Sequence, residues 1–207
     1  MNLNSRSKLL ILFGVFVVPV VAAYLAYFGW RPAGHSNYGE LFGAAPLFGW
    51  RPAGHSNYGE LFEAAPLQQT SGTLASGQPY TLDALQGKWV MVHVGPAACD
   101  ADCAGQLYLM RQTRITQGKD QARIERLWVL TDTGTPDASL LERHPGLKVW
   151  RPGNPAFIEQ FPAGNNRAGH IYMVDPLGNL MLRFPENPDP KGIMKDLKLL
   201  LKASQIG

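Results

Sequence analysis

Residues 88–116 read KWVMVHVGPAACDADCAGQLYLMRQTRIT, and the change of period inside this stretch decides the fold. Lys88–Val94 is a short apolar run bounded by Gly87 and Gly95, the pattern of a buried strand. From Asp102 to Thr116 the pattern turns helical: Cys103, Leu107 and Met110 share one face, and Arg111 and Arg114 offer a charged one. Leu127–Leu130 (LWVL) reads as a second buried strand, followed by a helix over Asp137–Arg143. His170–Val174 and Leu180–Phe184 flank Asp175-Pro176-Leu177-Gly178, a turn signal between paired strands. In the last helix Ile193, Met194, Leu197, Leu200 and Leu201 line one face, and Lys191, Lys195, Lys198 and Lys202 the other. Strand, helix, strand, helix, hairpin, helix is an α/β order. Its early crossovers imply parallel strands and its late hairpin an antiparallel pair, so the sheet is mixed and flanked by helices.

The whole chain has 207 residues, of which 45% are hydrophobic and 17% charged, with a net charge of +3. That charge is too weak and too scattered for a nucleic-acid partner. Two cysteines cannot build a disulfide scaffold of the small secreted kind.

Leu9–Trp30 is a run of 22 residues without a charge, long enough as a helix to span a hydrocarbon core of about 30 Å. Tyr24, Tyr27 and Trp30 gather at its far end, and Arg6 and Lys8 flank the near end. The positive-inside rule therefore puts residues 1–8 in the cytoplasm, a transmembrane anchor at 9–30, and everything after it outside. Val21-Ala22-Ala23 would also pass as a signal-peptide cleavage site, but the apolar run continues beyond it, which favours an uncleaved anchor. The expected location is the bacterial inner membrane, crossed once, with the domain in the periplasm.

Residues 28–47 recur as 48–67, differing only in Glu63 for Gly43. Two units are too few for a solenoid. Residues 31–67, rich in Gly, Pro and Asn, read as a tether, with the exported domain spanning 68–207. His35 and His55 are then one histidine counted twice.

Cys99-Asp100-Ala101-Asp102-Cys103 follows the first strand directly. With the helix beginning near Cys99, a spacing of four puts both sulfurs on one face. The helix N-terminus lowers a thiol pKa below the ~8.5 of free cysteine, while Asp100 and Asp102 oppose that effect. Such a pair is a redox couple or a soft two-thiolate site suited to Cu(I). A purely structural disulfide is the remaining reading, but a bridge closing so short a loop stabilises weakly. His170, at the start of the hairpin strand, is the candidate third metal ligand, against a hydrogen-bonded strand histidine. His93 reads as a core or supporting residue, and Met91, Met110 and Met173 as core.

The element order is that of a thioredoxin-like domain. The sequence further resembles the Sco/SenC family of copper-binding cytochrome c oxidase assembly proteins. The resemblance rests on Leu85-Gln86-Gly87-Lys88-Trp89-Val90, on Cys99-x-x-x-Cys103 and on Tyr172-Met173-Val174-Asp175-Pro176-Leu177-Gly178. It covers about two-thirds of the chain, from roughly Thr73. It implies a thioredoxin-like fold, copper as Cu(I), and cytochrome c oxidase subunits or other copper-site assembly factors as partners. Cys99 and Cys103 would then be redox pair and metal ligands at once. The chain departs from the family where prolines usually follow the cysteines, since Asp100 and Ala104 stand there. The family's copper histidine falls in register on Arg167, three residues before His170. Three residues of extended chain are about 10 Å and reverse the facing side.

The function expected is therefore a membrane-anchored periplasmic factor in oxidase biogenesis, binding Cu(I) or reducing copper-site thiols, a chaperone rather than a turnover enzyme. The alternative is a periplasmic thiol-disulfide oxidoreductase acting on exported proteins or cytochrome c precursors. A third reading is a docking module whose basic face is built from Arg111, Arg114, Lys119, Arg123 and Arg126.

Overall fold

Side chains of an extended strand alternate between faces, and along the strand predicted over 88–94 both faces carry large apolar groups, so it must lie between two layers. The computed structural model describes residues 57–164 and 166–204, together with Asn4, Arg6, Phe13, residues 16–21 and Tyr24. In it the segment is strand β4 (Trp89–Gly95), buried at every position. Trp89 and Met91 face one cluster, packed with Leu107, Met110, Trp128, Ile193 and Leu197. Val90, Val92 and Val94 face another, with Leu127, Val129, Trp150, Phe157 and Phe161.

Around β4 the chain runs β1 (Glu60–Pro66), β2 (Ser71–Leu74) and β3 (Pro79–Thr81) before it. After it come α1 (Ala101–Thr116), β5 (Ile124–Leu130), α2 (Ala138–Glu142), β6 (Leu147–Pro152), β7 (Ile171–Val174), β8 (Asn179–Arg183) and α3 (Pro190–Ala203). Among the described residues these strands form one sheet in the order β1-β8-β7-β4-β5-β6-β2-β3. β4 pairs parallel with β5, and β5 with β6, while β7 joins β4 and β8 antiparallel. The mixed sheet and late hairpin expected from the sequence are both present. β6 and the β2–β3 pair are additions to that reading.

The domain boundary differs from the sequence expectation. Contacts divide the chain into Met1–Ser56 and Asn57–Gly207, so the end of the supposed tether belongs to the second unit. β1 comes from the second copy of the repeat and pairs antiparallel with β8, through Glu60↔Arg183, Leu61↔Leu182 and Ala65↔Leu180, with an irregularity between Leu61 and Ala65. Its residues are mostly exposed, because an edge strand has a neighbour on one side only. That exposure, with the broken register, leaves no period-2 signal to read. The join is made by the buried Asp196 on α3, which accepts hydrogen bonds from the backbone N–H of Tyr58 at 3.0 Å and of Gly59 at 2.8 Å.

The anchor expected at 9–30 lies largely outside the described residues. Residues 16–21 are helical, and among the described residues no helix is long and apolar enough to cross a membrane.

Asp196→Ala removes both acceptors of the 58–59 backbone and is expected to lower unfolding free energy by about 3 kcal/mol, read from urea midpoints. A fragment beginning at Gln68 lacks β1 altogether and should lose more. Equal stability of that fragment and one beginning at Asn57 would return 57–67 to the tether.

Candidate functional site

β4 ends at Gly95 and the chain turns through Pro96–Ala98 into α1. The turn is held to the end of β5, where Ala97 N–H donates to Asp132 Oδ1 at 3.0 Å. Asp100 is the N-cap of α1: its backbone is extended, and its Oδ1 accepts from Cys103 N–H at 2.9 Å. The helix therefore begins at Ala101, two residues later than a start at Cys99, and Asp100 satisfies one of the free N–H groups of the first turn. Cys99 stands just outside the helix and Cys103 within its first turn. The two are joined as a disulfide, with Cα atoms 5.3 Å apart.

The sulfurs differ in surroundings. Cys99 is half-buried and lines an open groove of about 510 Å³ with Ala97, Ala98, Ala104, Thr135, Asp137 and Arg143. The bridge is therefore reachable from this side. Cys103 is buried and lines a second cavity of about 230 Å³, shared with His93, Asp100, Gln106, Gly169 and Glu186.

His93 projects from β4 into this second space. It has no exposed surface, neither ring nitrogen has a hydrogen-bond partner, and its ring lies tilted against Trp128 with centroids 6.2 Å apart. Burial pushes its pKa down to about 4, against the pull of the nearby Asp100 charge, so the imidazole is neutral at pH 7. Gly95 makes room for the ring, since a Cβ there would fall 2.9 Å from His93 Nε2. Gln106 is a further member that the sequence reading passed over. Its Nε2 donates to Gly169 O, tying α1 to the loop before β7, while its Oε1 is buried without a partner. A polar residue one turn after Cys103, on the buried face of α1, was the available signal.

His170 is not brought to the cysteines. Its Nδ1 sits 2.7 Å from Phe184 O, and its Nε2 lies 3.8 Å from Glu186 Oε1. It lines a different cavity, with Tyr58, Glu60, Gly164 and Arg183. Among the described residues no three His, Cys, Asp or Glu side chains form a ready metal cluster. Arg167, at the register of the Sco/SenC histidine, donates from Nε to Phe161 O and pairs with Glu159.

Three of the five residues of the expected basic face, Arg114, Arg123 and Arg126, are turned inward. Arg126 is buried and donates to Pro145 O, Arg114 donates to Ile124 O, and Arg123 donates to Leu201 O and Ser204 O. They are turned onto backbone carbonyls that the strand and helix ends leave open. Burial, helped by Arg114 and Arg111, brings the Arg126 pKa down to about 10. Met91, Met110 and Met173 are core, as expected.

Comparison with known proteins fits this arrangement. The family model described as transmembrane-like, thioredoxin-like, C-terminal domain matches residues 89–204. The chain belongs to that family. Solved structures similar to this thioredoxin-like domain include yeast Sco1 with copper bound, at 16% identity, TM-score 0.58, covering 69% of this chain and 96% of that one. Bradyrhizobium japonicum ScoI with copper bound shares 22% identity, with TM-score 0.51 and coverage of 65% and 98%. A putative protein disulfide isomerase from Bacteroides thetaiotaomicron shares 14%, with TM-score 0.52 and coverage of 72% and 95%. At these identities the likeness is one of fold, and at that level the Sco/SenC resemblance holds. Among curated proteins none matches.

In the unfolded chain His93 titrates near its ordinary 6.5, whereas in the fold it stays neutral down to about 4. Between those values the unfolded state binds a proton that the native state does not. The stability His93 supports is thus whole above pH 6.5 and declines as pH falls towards 4, by up to roughly 3 kcal/mol. Urea unfolding free energies measured from pH 7 to pH 4 should show this decline in wild type and one shallower by about that amount in His93→Gln. Parallel curves would mean that His93 protonates freely in the native protein.

Proposed function

We propose that this chain is a membrane-anchored thiol-redox factor in cytochrome c oxidase biogenesis, which reduces the paired cysteines of a copper site. It sits in the bacterial inner membrane with its N-terminus in the cytoplasm and its thioredoxin-like domain in the periplasm. One observation carries the reading: a disulfide at the start of α1 whose outer sulfur, Cys99, opens on a groove while its inner sulfur, Cys103, is buried. The uncharged run at 9–30, and the exposed Phe13, Phe16, Val18 and Val20 within it, support the anchor.

In the reduced protein the Cys99 thiolate attacks one sulfur of the partner's disulfide. A mixed disulfide forms and the partner's other sulfur leaves as a thiolate. Cys103 then attacks the Cys99 sulfur, closes the intramolecular bridge and frees the second partner sulfur. The Cys103 proton ends on a released thiolate. The partner gains two electrons, this protein loses two, and a dithiol reductant resets it.

Cu(I) as cargo is the second reading, supported by the two copper-bound Sco neighbours. The reduced pair offers two thiolates, the soft donors Cu(I) favours. His170 is not needed, since it lines another cavity than the one Cys103 lines.

The test mixes the reduced full-length chain with an oxidised oxidase copper-site domain and counts free thiols on each. Wild type should transfer its electrons, Cys103→Ser should accumulate a mixed disulfide through Cys99, and Cys99→Ser should do nothing. Both variants should lose no more than about 2 kcal/mol of stability, because the closed loop is short. Absence of exchange, or a loss of several kcal/mol, would make the bridge structural. Cu(I) titrated against a chelator should bind with an affinity that Cys99→Ser abolishes and His170→Ala leaves unchanged. A weakened His170→Ala variant would return that residue to the site.

A further inference from the structure

The cavity beneath the bridge holds polar groups that the disulfide state does not satisfy. Both ring nitrogens of His93 and Oε1 of Gln106 are buried there without partners. A neutral imidazole has one N–H donor and one bare nitrogen acceptor. Neither ring nitrogen is bonded to Gln106 Oε1 or to any other group of the cavity. The bare nitrogen then wants a donor, and the buried sulfur of the same cavity, Cys103, has no proton while it is bridged. Reduction gives it one.

We infer that His93 is a positioning residue for the redox pair: it accepts a hydrogen bond from the Cys103 thiol and so favours the dithiol over the disulfide. Three features of the fold serve this purpose. β4 alternation puts His93 on the face that α1 covers, the face of Trp89 and Met91. Gly95 leaves the space the ring occupies, and Trp128 backs the ring from β5. An unpartnered buried polar atom is costly, and the cost is relieved when a partner appears. Here it appears in one oxidation state only, so the burial of His93 is converted into a bias on the S–S bond. In the balanced step the bridge takes two electrons and two protons from a dithiol reductant, the S–S bond breaks, and one of the two new S–H groups, that of Cys103, points to His93. The second, on Cys99, faces the groove.

The inference rests on the redox reading, and one experiment separates the two. The full-length chain is equilibrated at pH 7 with mixtures of reduced and oxidised glutathione, and the dithiol fraction is measured by thiol alkylation for wild type, His93→Leu and His93→Gln. His93→Leu, which removes the acceptor, should shift the equilibrium towards the disulfide by about tenfold, the size of one buried hydrogen bond. His93→Gln keeps a side-chain acceptor and should stay within about threefold of wild type. Equal constants for all three overturn the inference and leave the redox reading standing. A bridge that no glutathione mixture opens overturns the redox reading itself. Where His93→Leu does not fold, the ring ¹⁵N shifts of His93 in the wild-type protein give the same answer. The acceptor nitrogen should move on reduction, and an unchanged spectrum refutes the contact.

Discussion

A single hydrogen bond, from Cys103 N–H to the Asp100 carboxylate, sets the geometry on which the rest of the site depends. It fixes where α1 starts, and the start decides that Cys99 lies outside the helix and Cys103 inside it. A helix begun two residues earlier would place both sulfurs on the helix surface in similar surroundings. With the cap at Asp100 the sulfurs split between two environments, an open groove on the Cys99 side and a more polar, more recessed cavity on the Cys103 side. Thiol exchange needs that asymmetry, because one sulfur must meet a partner and the other must wait for it. The carboxylate that the sequence presents as an opponent of the thiolate is, in the fold, the residue that organises the pair.

Burial is used in two ways around this turn. Most of the material under the sheet is apolar and its burial stabilises the fold without further consequence. On β4 both Trp89 Nε1 and the ring nitrogens of His93 are buried without a partner, and of the two residues it is His93 that lines the cavity shared with Cys103. Proteins keep such groups where strain or reactivity is served by them. Its position under the disulfide, with glycine at 95 to admit it, makes this the least generic part of the core.

The repeat contributes more than a spacer. Residues of its second copy supply β1 and the Tyr58–Gly59 backbone held by Asp196. β8 would otherwise present an unpaired edge beside the hairpin that bears His170, and open edges invite pairing with other chains. Arg183 of β8 also pairs with Glu60 of β1, so strand and side chain close the same border. The sheet is thereby finished by the segment that leads towards the N-terminal run.

The central architecture is legible in local patterns of the chain. The largely apolar run at 88–94 had to lie between two layers, the spacing of Cys103, Leu107 and Met110 had to form a helix face, and Asp175–Gly178 had to turn a hairpin. These are local patterns, and local periodicity survives whatever packs on it. The spacing of Cys99 and Cys103 likewise keeps them close together. The tertiary structure decided the partners. Along the chain His170 reads as the candidate third ligand and His93 as a core or supporting residue, at 67 and six residues from the nearer cysteine. Only the packing of β7 on β4 and the closure of α1 over β4 send the first to Phe184 O and the second under Cys103. β1 was invisible for the same reason, since an exposed edge strand is defined by the strand it pairs with and not by a pattern of its own. Arg114, Arg123 and Arg126 follow a surface-like spacing, yet each donates to a backbone carbonyl that only the fold brings near. Whether a polar group is satisfied, and by what, is a property of contacts between distant segments, and no spacing along the chain encodes it.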